Sequence, residues 1–290
     1  MENIYGILGG DNRNIKLSRL LAKEKNIVYT YGLEEAEEIK NIENINICTN
    51  LKEMIEKTNN IISAIPFSKD GENINMPYSK EKIAIHDCIK LMKNKLLIAG
   101  QISEETKDIA QRNNCKIVDI MKKEEIVILN TIATAEGTIQ ILMENTETIL
   151  QGLNVLILGF GRVSKTLAQK LKLLQMNVTC AARKESDIAW IETYGYNFIN
   201  INNINERFSE YDVIINTVPS KIITEKEMAY IGEKIIMIDL ASYPGGIDFE
   251  KANEKNLKVI WALGIPGKVA PETSAIFIKR EIEKLIEKEL

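Results

Sequence analysis

Histidine is nearly absent: His86 is the single one among 290 residues. A metal centre built on several imidazoles is therefore excluded, and any Ser-His or His-carboxylate couple would have to rest on that one ring. His86 reads as an incidental polar residue in a helical or loop segment, with a general-acid role kept as the alternative. The four cysteines, Cys48, Cys88, Cys115 and Cys180, form no C-x-x-C pair. Their spacing fits neither a zinc site nor a disulfide framework and predicts buried free thiols. Blocks of like charge are missing too, and 37 basic against 41 acidic residues leave a net charge of −4. Such a balance points away from nucleic acid and from anionic membranes. No apolar run is read as approaching the roughly 20 residues of a membrane span, and the opening Met-Glu-Asn-Ile-Tyr lacks the basic and apolar regions of a signal peptide. The expectation is a cytoplasmic protein. Low-complexity tracts and obvious linkers are also wanting.

What the chain does have is apolar residue, 45% of the total, enough for a large core. At this length two domains of ordinary size are expected. Short apolar runs at residues 3–8, 27–31, 45–48, 61–65 and 96–99 alternate with helical stretches near 15–22, 51–57 and 103–113. A second series of runs lies at 153–158, 177–181, 213–218, 235–240 and 258–262. Alternation of this kind is what parallel sheets require, because each parallel pair needs a crossover connection. Between the two series, residues 125–150 read as a bridging helical segment interrupted at 131–137. The last stretch, 272–290, reads as an amphipathic helix returning to the first domain. The expected layout is α/β: two Rossmann-like, doubly wound parallel-sheet domains with a cleft between them. Residues 1–124 with 272–290 form the first and 151–271 the second.

The second domain opens on the most informative motif. Val155-Leu-Ile-Leu-Gly-Phe-Gly161 followed by Arg162-Val163-Ser164 reads as a buried strand that turns through Gly159, Phe160 and Gly161 into a helix. Backbone N–H groups and the positive helix end would meet a pyrophosphate there, and glycine leaves room for its approach. After the next strand, where an NAD enzyme usually carries an acid, stand Ala182, Arg183 and Lys184. A guanidinium forks onto a 2′-phosphate and an ammonium adds a second charge, so NADP(H) is the expected cofactor. Ser164 occupies the third position of the fingerprint. A lone G-x-G is weak evidence, and the surrounding strand, helix, strand and basic pair are what give it weight.

Four further loops fall at the carboxyl ends of strands, where ligands bind in such sheets. They are Gly9-Gly10-Asp11-Asn12-Arg13, Asn216-Thr217-Val218-Pro219, Asp239-Leu-Ala-Ser242-Tyr243-Pro-Gly-Gly246 and Gly264-Ile-Pro-Gly-Lys268. For glycine and proline, turn chemistry is the ordinary reading; four such loops together favour a site. Asp11, Arg13, Thr134, Glu136, Ser242 and Lys268 are the candidates for facing a small anionic substrate. Arg162 is a further cation near the glycine turn. Capping of a helix that begins near Thr134 is the alternative for Thr134 and Glu136, and simple solvation is the alternative for the cations.

These loops resemble the family of dipicolinate synthase A subunits of endospore-forming bacteria. The matching pieces are Asn130-Thr-Ile-Ala-Thr-Ala-Glu-Gly137, Asn216-Thr-Val-Pro219, Asp239-Leu-Ala-Ser-Tyr-Pro-Gly-Gly-Ile-Asp-Phe249, Leu263-Gly-Ile-Pro-Gly-Lys-Val-Ala-Pro-Glu-Thr273 and the opening Gly9-Gly-Asp-Asn-Arg13. Departures are Ala133 for a usual proline, Ser164 for glycine and Tyr243 for arginine. The resemblance covers nearly the whole chain. It implies a fold similar in layout to the formate and glycerate dehydrogenases, and oxidation of dihydrodipicolinate to dipicolinate with NADP+ in the mother cell of a sporulating bacterium. It also implies, as partner, a flavoprotein-like second subunit; self-association into a homo-oligomer stays open. Two other readings compete. A shikimate- or 2-hydroxyacid-dehydrogenase-like enzyme would rely on a Lys-Asp or His-carboxylate pair, and His86 lies outside the loops that would carry it. A non-catalytic nucleotide-sensing subunit would keep the glycine turn and need no cationic cleft.

Overall fold

The computed structural model describes residues 3–287. Its chain divides into two compact units, residues 1–129 with 270–290 and residues 130–269. In the first, β1 (Ile4–Leu8), α1 (Asn12–Lys23), β2 (Ile27–Tyr31), β3 (Ile45–Ile47), α2 (Leu51–Lys57) and β4 (Asn60–Ser63) come first. They are followed by α3 (Ile85–Leu91), β5 (Leu96–Ala99), α4 (Glu104–Arg112), β6 (Lys116–Asp119) and α5 (Glu124–Asn145), whose length crosses the boundary between the units. The second unit continues with β7 (Asn154–Leu158), α6 (Arg162–Leu173), β8 (Asn177–Ala182), α7 (Glu185–Thr193), β9 (Asn197–Asn200) and β10 (Val213–Asn216). Then come α8 (Glu225–Met228), β11 (Ile236–Asp239), α9 (Phe249–Glu254), β12 (Val259–Trp261) and α10 (Ile265–Val269), before α11 (Pro271–Glu287) rejoins the first unit.

Each unit holds one six-stranded sheet, and every strand pair is parallel. The orders are β3-β2-β1-β4-β5-β6 and β9-β8-β7-β10-β11-β12, which is the same winding twice. Strands buried on both faces read as continuous apolar runs. Val155 to Leu158 and Val213 to Ile215 show it, with all seven side chains fully buried. Helices cover both faces, giving two core clusters in each unit. In the first unit Ala275, Ile278 and Ile282 of α11 share a cluster with Leu17 and Leu21 of α1. The expected helix at 272–290 is thus present to Glu287, and residues 288–290 lie outside the described ones.

Three expectations need correction. First, β6 and β9 stand where the sequence pattern predicts no strand; both are four-residue edge strands that begin and end on polar residues. Second, residues 125–150 are not an interrupted bridge. The helix runs unbroken from Glu124 to Asn145, so Thr134 and Glu136 lie well inside it and cap nothing. Thr134 instead donates its hydroxyl to the Asn130 carbonyl at 2.9 Å, and Thr138 does the same to Thr134 at 2.7 Å. Third, α5 has 22 residues and its most apolar stretch a mean hydropathy of 1.5, so by length and composition it is apolar enough to cross a membrane, contrary to the sequence reading. Its Ala135 and Leu142 are fully buried in the core of the second unit.

Gly137 explains why a glycine sits in the middle of this helix. A Cβ there would overlap the Ile265 side chain and come within 3.0 Å of Val269, so α10 can lie against α5 only where the side chain is missing. Helix propensity alone favours alanine over glycine by about 1 kcal/mol. The overlap should reverse that sign: Gly137→Ala is expected to destabilise the second unit by about 1–3 kcal/mol, the usual cost of overpacking. Trp190 and Trp261 both lie in this unit, so urea unfolding followed by tryptophan fluorescence reads the effect; an equal or higher midpoint would contradict the packing argument.

Candidate functional site

In the second unit the order of strands reverses between β7 and β10, and the loops leaving those two strands meet. Gly159 follows β7 with φ +94°, a left-handed conformation that a side chain would strain. A Cβ at that position would also lie 2.7 Å from the Thr217 hydroxyl and 2.8 Å from Val218. Gly161 is the N-cap of α6, and a Cβ there would point into open space. No acidic residue stands in the first turn of α6. That first turn therefore supplies no anion of its own and leaves open space at Gly161, which suits an external anion.

Ser164, in place of the expected third glycine, is fully buried and satisfied. The Thr217 hydroxyl donates to the Leu158 carbonyl at 2.8 Å, so the Ser164 hydroxyl donates to Thr217 at 2.8 Å. The substitution thereby adds a link between α6 and the β10 loop.

A cavity of about 470 Å³ opens beside this turn. Gly159, Phe160, Ala182, Arg183, Lys184 and Val218 line it, as do Ile201, Asn202, Ile204, Ser220, Lys221, Ile222, Lys226 and the carboxylates Asp187 and Glu227. Gly161, Thr217 and Pro219 of the same two loops, and Arg162 and Val163 at the start of α6, do not line the cavity. Arg183 and Lys184 are exposed where β8 gives way to α7. Lys221 is held by Asp248 at 2.9 Å. Glu227 closes a capping box on Thr224, accepting from its N–H at 2.9 Å and its hydroxyl at 2.5 Å. Burial opposes its charge, yet these hydrogen bonds keep the carboxyl below its ordinary range.

Behind the cavity wall lies a polar pair that sequence reasoning passes over. Asp239 and Asn216 are both 0% exposed. Asp239 accepts from Asn216 Nδ2 at 2.8 Å and from the N–H groups of Ala241, Gly246 and Ile247 at 2.9, 2.7 and 3.2 Å. Asn216 also brackets Val218, accepting from its N–H at 3.1 Å and donating to its carbonyl at 3.0 Å. The motif pieces containing both residues are visible in the sequence, but only as loop signals. Ser242 and Tyr243 in the same loop are exposed, and Lys268 is exposed on α10.

The first unit has the corresponding glycine turn, and it is filled. Gly10 donates to the Asn75 carbonyl at 2.9 Å, and side chains added at Gly9 or Gly32 would strike Met76. Asp11 caps α1 by accepting from the Arg13 N–H at 3.0 Å. Arg13, expected either to face a ligand or to be solvated, is only 5% exposed. It forks onto Asp11 through Nε and Nη2 at 2.9 and 2.8 Å, and donates to the Ile65 carbonyl. Elsewhere Thr134 and Glu136 stay on α5, Glu136 pairing with Lys170 at 2.9 Å. His86 is exposed on α3 beside Asp87. All four cysteines are buried and free; burial pushes the Cys180 thiol up to about 12 and Cys115 to about 11, far from nucleophilic. Among the described residues no cluster of His, Cys, Asp and Glu could hold a metal ion.

Comparison with known proteins agrees with this division. Residues 5–121 match the N-terminal domain family of the dipicolinate synthase A subunit, and residues 133–242 match the NAD-binding domain family of D-isomer specific 2-hydroxyacid dehydrogenases. The dipicolinate synthase A subunit of Bacillus subtilis (strain 168) is 27% identical over 288 residues, covering 97% of this chain and 94% of that protein. The crystal structure of the A subunit from Bacillus halodurans superposes with a TM-score of 0.88 at 27% identity, over 98% of this chain and 97% of that one. That of the Bacillus subtilis protein gives 0.85 at 26% identity, over 99% and 97%. The second unit is thus similar to a nicotinamide-dinucleotide domain of an oxidoreductase, and over nearly its whole length, in sequence and in fold, the chain resembles the A subunit of dipicolinate synthase.

Proposed function

We propose that this chain is a cytoplasmic, NADP-dependent oxidoreductase subunit that converts dihydrodipicolinate to dipicolinate together with a flavoprotein-like partner. The observation that carries the cofactor half of this reading is the pairing of an open, anion-free α6 N-terminus with a cavity whose rim bears Arg183 and Lys184. The likeness to the dipicolinate synthase A subunit over the whole chain carries the substrate half.

The residues fit the cofactor. Gly159 and Gly161 clear space at the helix end for a pyrophosphate, with N–H groups at the start of α6 as donors. Ile201, Ile204 and Ile222 offer an aliphatic slot for a flat base. Arg183 and Lys184 supply the charge that a 2′-phosphate needs. A nicotinamide held there would supply the hydride acceptor for a ring oxidation that aromatisation favours. The protein's task is then to position the ring and neutralise its two carboxylates, because an unpaired buried carboxylate is costly. Lys268 is proposed as one carboxylate partner.

The acidic Asp187 on the same cavity favours a second reading, NAD with its ribose hydroxyls on that carboxylate. Binding measurements separate the two. Arg183→Asp should weaken NADPH about tenfold or more while changing NADH little, the scale of a charge-assisted contact discounted for exposure. Equal affinity of the unmodified protein for both cofactors would sink the NADP assignment.

The substrate assignment has its own test, turnover of the dihydro compound by the chain alone and with the partner subunit. Lys268→Ala should lower turnover by about tenfold or more, the scale of one lost charge-assisted contact, with NADPH affinity within a factor of two. Full turnover in this variant would show that other groups hold the carboxylates.

A further inference from the structure

The cavity beside the glycine turn has a second rim, formed by the segment after β10, and its charge is not used by the cofactor fingerprint. Four cations line the cavity: Arg183 and Lys184 follow β8, Lys221 and Lys226 follow β10, and those two strands flank β7 on opposite sides. Lys221 is committed to Asp248 at 2.9 Å. Lys226 has no ion-pair partner among the described residues, and neither have Arg183 and Lys184. Lys226 is exposed, yet the one-turn helix that carries it is firmly placed. The capping box of Thr224 and Glu227 closes its start. The strand-like run before it is sewn to the loop after β11: the N–H groups of Ile222 and Ile223 donate to the Gly246 carbonyl at 2.8 and 3.0 Å, and the Asp248 N–H donates to the Ile223 carbonyl at 2.9 Å. Gly246 in turn donates to the buried Asp239. Lys226 therefore stands on a platform anchored in the core, on the far wall of the cavity from the basic pair.

We propose that Lys226 is a specificity-determining residue that closes on the 2′-phosphate of the cofactor from the side opposite Arg183 and Lys184. The inference rests on the cofactor reading above and adds a contact from a different element. A doubly charged phosphate held by one rim keeps oxygens facing the solvent side of the cavity, and a lysine ammonium is a point-charge donor suited to them. The same three cations outnumber the one carboxylate, Asp187, that is not tied into a capping box or ion pair. The local balance is positive, as a phosphate requires and a ribose hydroxyl does not.

The test uses the full chain and two fragments of the cofactor, 2′,5′-ADP and 5′-ADP, titrated calorimetrically. Lys226→Ala should weaken 2′,5′-ADP by about five- to tenfold, the scale of one solvent-accessible charged contact, and leave 5′-ADP within twofold. Lys226→Arg should restore most of the difference, and Lys221→Ala should leave the ratio of the two affinities unchanged. Lys226 is exposed, so unaltered thermal unfolding is expected of each variant. If the unmodified chain prefers 2′,5′-ADP and Lys226→Ala retains the whole preference, the assignment of Lys226 fails while the cofactor reading stands. If the unmodified chain shows no preference between the fragments, the cofactor reading fails and this assignment with it.

Discussion

A carboxylate with no exposed surface, Asp239, holds the working end of the second unit together. Removing such a group from water costs several kcal/mol unless its lone pairs are taken up, and here four donors take them up. Three of the four are backbone N–H groups of a loop that would otherwise be free to wander: residues 241–247 fold around the carboxylate, and Asn216 carries its hold across to Val218 on the cavity wall. Glycine is obligatory where the loop closes. A Cβ on Gly245 would lie 2.9 Å from the Asp239 carboxylate, and one on Gly246 would overlap the Asn216 amide. The exposed loops at the carboxyl ends of β10 and β11 are thus shaped from beneath, by one buried charge.

The two units show how one winding order can serve different ends. In both, the first strand leads through glycine into a helix, and a hydroxyl on the fourth strand or just after it bonds back to the first: Ser63 to the Leu8 carbonyl, Thr217 to that of Leu158, each at 2.8 Å. In the second unit the helix end is open. In the first, the Asp11 carboxylate already caps the helix, and Asn75 and Met76 cover the turn. An internal anion and an internal side chain occupy the places that an external dinucleotide would need. Fold alone would not distinguish the units; the residues at the turn do.

Much of this was legible because parallel strands buried on both faces leave unbroken apolar runs, as at Val155 to Leu158, and because the glycine turn and basic pair sit at fixed intervals from them. The edge strands were not legible. Lys116-Ile-Val-Asp119 and Asn197-Phe-Ile-Asn200 have only two apolar residues each, since an edge strand meets a neighbour on one side alone. The continuity of α5 was hidden for another reason. Thr131, Thr134 and Gly137 carry poor helix propensity, yet the threonine hydroxyls find partners and the glycine makes room for α10, so packing overrides local preference. At the site, the near rim of the cavity could be read from the fingerprint, whereas the far rim depends on long-range pairing of residues 222–223 with Gly246, which no local pattern announces.

The place of α11 has a consequence for how the protein comes into being. All six strands of the first sheet lie before residue 120, but the helix whose Ala275, Ile278 and Ile282 complete the core over α1 is synthesised only after the second unit. At about 5–20 residues per second, nearly the whole second unit emerges from the ribosome first, leaving Leu17 and Leu21 without that cover for on the order of 10–50 s. The first sheet can assemble early, yet it is sealed only once α11 has emerged. During that interval a nascent chain presents a greasy seam that chaperones can hold and that neighbouring nascent chains on the same message can find.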